Sequence, residues 1–118
     1  MVLSTVRMAI PLEKHNDALR ILRSIVVQSR NDPGCLSYLI YRDLEDNNVL
    51  MLQGNWKSRE NLNVHIRSDE YRNLLLVMEM SLKQPEVRFD TVSCSTGIES
   101  IEKIRSKQHL TQAEAKDF

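Results

Sequence analysis

The sequence predicts a single α+β domain in which four strands make one antiparallel sheet and helices cover one of its faces. Three observations carry this prediction. Four segments alternate side chains with the period of a strand, the middle two are joined by a short polar turn, and amphipathic helical stripes fill the two remaining gaps. The order is therefore β-α-β-β-α-β, the ferredoxin-like or split β-α-β arrangement, and right-handed crossovers place both helical segments on the same face.

Val2 to Ile10 sets Val2, Ser4, Val6, Met8 and Ile10 against Leu3, Thr5, Arg7 and Ala9, a strand with no breaker before Pro11. From Leu12 the period lengthens: Leu12, Ala18, Leu19, Leu22, Ile25 and Val26 form one helical stripe, with Pro11 suited to its first turn. Asn31-Asp32-Pro33-Gly34 stops that helix and turns the chain. Leu36 to Leu44 reads as the second strand, Glu45 to Asn48 as a turn, and Val49 to Trp56 as the third strand, so the two form a hairpin. Ser58 is placed to cap a helix carrying Leu62, His65 and Ile66 on one side, with Glu60 favoured by the helix dipole. Ser68-Asp69-Glu70 repeats the start signal before Tyr71, Leu74, Leu75, Met78 and Leu82, giving a kinked or two-piece helix ended by Pro85. Glu86 to Ser95 alternates again as the fourth strand. Residues 1–95 thus form the domain, and 96–118 a tail whose Ile98, Ile101 and Ile104 suggest a helix before the disordered-looking LTQAEAKDF. That helix is an arm for a partner subunit or a surface element.

A chain of 118 residues suits one domain, and sixteen basic against sixteen acidic residues leave no net charge to attract a nucleic-acid backbone or an anionic membrane. No apolar run approaches the about 18 residues that a membrane span requires. The start, MVLSTVRMAIPLEKH, has no basic region followed by a hydrophobic core, so a cytoplasmic protein is expected. Cys35 and Cys94 are too few for a disulfide framework, and His15, His65 and His109 lack metal-binding spacing. Strands one to three carry apolar side chains on both sides, so the face without helices calls for a cover. A second sheet from an identical subunit supplies it, and a homodimer with sheets packed face to face is expected.

The stretch NDPGCLSYLIYRDLEDNNVLMLQGNWKSRENLNVHIRSDEYRNLL resembles the antibiotic biosynthesis monooxygenase (ABM) family. The likeness lies in the Pro33-Gly34-Cys35 turn, in Trp56 followed by Lys57-Ser58-Arg59-Glu60, in His65 nine positions beyond that tryptophan, and in Ser68-Asp69-Glu70-Tyr71. It implies the dimeric α+β barrel, and an enzyme that oxygenates a quinol, polyphenol or polyketide-like aromatic with O2 and no cofactor. In that chemistry a phenol or anthrone is deprotonated, and its anion passes an electron to oxygen before the two recombine. The protein supplies an apolar pocket, a base and donors for the anion.

On this reading His65 is the base, because imidazole titrates near neutrality and its position matches the family's helix histidine. Trp56 offers a flat wall, and Gln53 and Asn55 offer amide donors on whichever side of strand three they share with Val49 and Met51. Tyr38 and Tyr41 point to opposite sides of strand two, so one of them lines a pocket, and Tyr38 is the one assigned. Tyr71 is placed at the substrate, with Arg72 or Arg88 able to steady an anion. Many members carry a glutamate two positions before the tryptophan, where this chain has Gly54, so a mechanism through that carboxylate is lost. The asparagine and histidine of the haem-degrading members are absent from their places, which hold Thr5 to Arg7 and Leu75. Two rival functions use the same scaffold: a non-enzymatic barrel binding a small hydrophobic ligand, and an isomerase-like enzyme in which His65 moves protons without oxygen.

Overall fold

The computed structural model describes residues 1–107. Its elements are β1 (Val2–Ala9), a 3-10 turn (Leu12–Lys14), α1 (His15–Arg30), β2 (Cys35–Arg42), β3 (Val49–Trp56), α2 (Arg59–Ile66), α3 (Asp69–Met78), β4 (Glu86–Thr91) and α4 (Ile98–Lys107). The four strands form one antiparallel sheet in the order β2-β3-β1-β4. The ferredoxin-like α+β arrangement is therefore present, and α4 follows it. The expectation for LTQAEAKDF lies outside the described residues. Among those residues no helix is long and apolar enough to cross a membrane.

Several boundaries differ from the sequence reading, each for a local reason. Pro11 is extended (ψ 142°), so Leu12–Lys14 makes a separate turn and α1 begins only at His15. Leu12 is consequently exposed, and the buried stripe starts instead at His15, whose Nε2 donates to the Ile10 carbonyl at 2.7 Å. Strand β2 stops at Arg42 because Asp43 turns the chain, its carboxylate accepting from the Glu45 amide at 2.8 Å. Leu44 is left in solvent. The second helical segment is in two pieces, as its repeated start signal implies, each with its own serine cap: Ser58 accepts from Asn61 N–H and Ser68 from Tyr71 N–H. Tyr71, Leu74 and Val77 form the buried side of α3, while Leu75 and Leu82 are exposed. Strand β4 ends at Thr91 rather than Ser95: Thr91 pairs with Val2, the first residue of β1, and Val92 N–H donates to the Met1 carbonyl.

The core lies between one sheet face and the helices. Val2, Val6 and Met8 of β1 and Leu50, Leu52 and Trp56 of β3 meet Ala18, Leu22 and Ile25 of α1, Leu62 of α2, and Leu74 and Val77 of α3. Each fully buried aliphatic side chain here stabilises the fold by about 1.5–3 kcal/mol. The opposite face carries Leu3, Leu39, Tyr41 and Met51 among Thr5, Arg7, Gln53 and Asn55, with no element of this chain over it among the described residues. Both sides of the central strands are thus partly apolar.

One irregularity positions the site. Cys35 pairs with Trp56, but the next pairs are Ser37 with Asn55 and Tyr38 with Gly54, so β2 holds one extra residue as a β-bulge at Leu36. Tyr38 thereby turns toward the helices and is buried. At the far end, α4 repeats Ile98, Ile101 and Ile104 every three residues, and all three are exposed.

Candidate functional site

Four of the sequence-assigned residues meet beneath the helices. Trp56 ends β3, Tyr38 comes from the bulged β2, His65 occupies the last turn of α2, and Tyr71 the first turn of α3. The His65 imidazole stacks on the Trp56 indole, with centroids 4.4 Å apart and planes 27° from parallel. Tyr38 and Tyr71 meet its edges, each with its ring centroid at 5.3 Å. The Tyr38 hydroxyl and His65 Nε2 share a hydrogen bond of 3.2 Å, its direction following the imidazole tautomer. The serine caps at the two ends of α2 fix where His65 stands; Ser68 also donates its hydroxyl to the His65 carbonyl at 2.6 Å.

Two features of this cluster bear on chemistry. Trp56 Nε1 is buried and has no hydrogen-bond acceptor among the described residues, a state that native structures rarely leave unexplained. Burial also pushes the His65 pKa down to about 4, against an opposing pull from the carboxylates of Asp32 and Glu70. The imidazole is therefore neutral at pH 7, with a lone pair to offer. Burial likewise raises Tyr38 and Tyr71, so both phenols keep their protons.

The shift has a pH signature. Unfolded His65 takes up a proton below about pH 6.5 and the folded form only near pH 4, so stability falls as pH drops between those values and levels off below. With His65 only 4 % exposed, the full loss is on the order of 3 kcal/mol. An NMR titration of the ring protons should give a midpoint near 4; a midpoint near 6.5 removes the argument.

The other assigned residues lie elsewhere. Gln53 and Asn55 are on the helix-free face of β3, opposite Leu39 and Ser37, and Asn55 donates to Ser37 Oγ at 2.8 Å. Arg72 sits on the exposed side of α3, and Arg88 is paired at 3.2 Å with Asp90 on β4. Gly54, two positions before Trp56, stands where there is little room for a side chain. A Cβ there would lie 2.9 Å from the Tyr38 ring and 3.0 Å from Ser4 Oγ. Gly54→Ala is expected to destabilise by about 1–3 kcal/mol through overpacking, read as a lower denaturant midpoint. An unchanged midpoint means that the Tyr38 ring yields freely.

A neighbouring cleft of about 230 Å³ reaches His65 from outside, between the end of α1 and the α2–α3 junction. Ser29, Asp32, Val64, Ser68 and Glu70 border it together with His65. These residues were not assigned from the sequence, although one signal was available. Ser29 lies on the apolar stripe of α1 and is buried, and its hydroxyl has no partner among the described residues.

With the geometry in place, the chain can be compared with known proteins. The family model described as antibiotic biosynthesis monooxygenase matches residues 1–75. The chain belongs to the antibiotic biosynthesis monooxygenase family. Among solved structures, it resembles a conserved protein from Methanosarcina mazei Go1 with 24% identity and a TM-score of 0.72, covering 75% of this chain and 89% of that one. A structure described as antibiotic biosynthesis monooxygenase has 21% identity and a TM-score of 0.72, covering 80% and 100% respectively. A Mycobacterium tuberculosis protein has 21% identity and a TM-score of 0.73, covering 81% and 98%. At these identities the structures establish the shared ABM fold. No curated protein matches the chain.

Proposed function

We propose that this ABM protein is a cofactor-independent monooxygenase acting on a quinol, polyphenol or polyketide-like aromatic. The observation that carries the reading is the His65–Trp56 stack, in which a neutral buried imidazole lies against an indole whose N–H has no acceptor among the described residues. His65 takes the phenolic proton as the anion forms. The resulting imidazolium is favoured by the phenolate beside it, which offsets the desolvation that lowers its pKa in the free protein. The unpartnered indole N–H is a ready donor for the developing oxyanion. The substrate anion then passes one electron to O2, and the pair recombines at carbon. For a methylene substrate, loss of water from the hydroperoxide leaves a carbonyl: two hydrogens depart with one oxygen atom, and the other oxygen stays. The substrate supplies every electron.

The reading includes a homodimer formed through the helix-free sheet face, supported by Leu3, Leu39, Tyr41 and Met51 on that surface. Light scattering at micromolar concentration should give twice the mass of the 13.7 kDa chain. A monomer there would sink the sheet-to-sheet packing. A cytoplasmic location is part of the same reading, since Cys35 and Cys94 are both free thiols, as expected in a reducing compartment.

Oxygen uptake tests the function. Purified protein is assayed against reduced quinols, anthrones and catechols, each above its spontaneous oxidation. Uptake that saturates with substrate supports the monooxygenase. Conversion of a substrate without oxygen consumption moves the assignment to an isomerase, and binding with neither assigns a ligand-binding barrel.

A further inference from the structure

We propose that the cleft leading to His65 admits phenols that are neutral or positively charged and discriminates against their carboxylate counterparts. The inference rests on the His65 cluster being the substrate site, and it concerns the charge of what enters.

The walls of the cleft are of one sign. Asp32, at the end of α1, and Glu70, in the first turn of α3, face it from opposite sides. Neither takes part in an ion pair among the described residues, and none of the lysines or arginines described there borders the cleft. Their field extends inward, because both carboxylates favour the protonated form of His65. Two such charges at the rim of a low-dielectric recess repel an entering carboxylate and attract an ammonium.

The cleft is also built to hold a polar ligand. Ser29 is 5% exposed, borders it, and keeps a hydroxyl without a partner among the described residues. Such a group marks a place where a ligand or water completes the hydrogen bonding. Ser68 adds a second hydroxyl to the wall, and Val64 gives an aromatic ring an apolar surface. A phenol pointing its hydroxyl at His65 leaves its far substituent between Asp32 and Glu70. The charge of that substituent then decides affinity.

The test compares tyramine, para-cresol and para-hydroxyphenylacetate, which share one phenol head and differ in charge. Trp56 is the only tryptophan, so a single indole N–H resonance reports arrival beside His65. Tyramine is expected to bind at least about tenfold more tightly than para-hydroxyphenylacetate, with para-cresol between them, and the gap should narrow as salt rises. In Asp32→Asn with Glu70→Gln the three affinities should converge. Both changes preserve shape, and in Asp32→Asn the side-chain carbonyl can still accept from the Gly34 amide as the carboxylate does. Glu70→Gln alone should lose part of the preference. Equal affinities in the unaltered protein, a preference that survives in the double variant, or an indole signal unmoved by all three overturns the proposal. The readout is independent of turnover. Charge selection without oxygen uptake refutes the monooxygenase and leaves the cleft assignment standing; oxygen uptake with no charge selection does the reverse.

Discussion

Trp56→Ala is expected to destabilise the fold by about 3–5 kcal/mol, the range for removing a large aromatic from a packed core. Trp56 is fully buried, and three other rings of the cluster rely on it: His65 stacks on its face and Tyr38 meets it edge-on at 6.0 Å, while Tyr71 packs against His65 behind. Removing the indole opens a cavity between the sheet and α2 that this short helix is poorly placed to fill. Trp56→Phe separates packing from chemistry, since it keeps an aromatic ring and deletes the N–H that lacks an acceptor among the described residues. Its cost should stay below about 1.5 kcal/mol, with a larger effect on turnover than on stability if the N–H steadies a substrate anion. Denaturant midpoints for both variants decide the matter. A loss under about 1 kcal/mol for the alanine variant would mean that the cluster is not a packing centre.

His65→Gln is expected to lower the rate of oxygen uptake by about a hundred- to ten-thousand-fold, the usual contribution of a positioned general base. Glutamine preserves a polar group of similar reach for Tyr38, so the fold should persist while proton transfer fails. Tyr38→Phe should have a smaller effect, because it removes the 3.2 Å hydrogen bond that orients the imidazole but leaves the base itself. Turnover that survives in a folded His65→Gln protein would take His65 out of the mechanism and reduce it to a residue that seats α2 on the sheet.

Much of the fold was legible because its signals are periodic. Alternation over Val2–Ala9 and Val49–Trp56 and the stripe through Ala18, Leu22 and Ile25 each repeat often enough to define an element. Ends were harder, since they depend on single events: the extended Pro11, the Asp43 turn, and the point where β1 no longer runs beside β4. Trp56 and His65 were findable as an aromatic at a strand end and a histidine on an apolar stripe. Gln53 and Asn55 were recognisable as a pair, but alternation cannot say which side of a strand faces the helices when both sides are partly apolar. The cleft residues come from segments far apart in sequence, Asp32 from the α1 turn and Glu70 from α3, and only the packing of those helices brings them together.

The extra residue at Leu36 has a bearing on how relatives should be compared. Were Leu36 paired opposite Asn55 instead of bulged, the Cys35–Trp56 register would set Ser37 opposite Gly54 and Tyr38 opposite Gln53, sending the tyrosine out to the bare face of the sheet. Loss of the Leu36 codon would remove the bulge yet leave Ser37 opposite Asn55 and Tyr38 opposite Gly54, whereas flattening the bulge with Leu36 retained would exchange the inside and outside of the rest of β2 with every letter of SYLIYR in place. An alignment that runs without a gap through Leu36 against a relative lacking the bulge pairs side chains that occupy opposite faces, so a tyrosine shared in the column need not be shared in space.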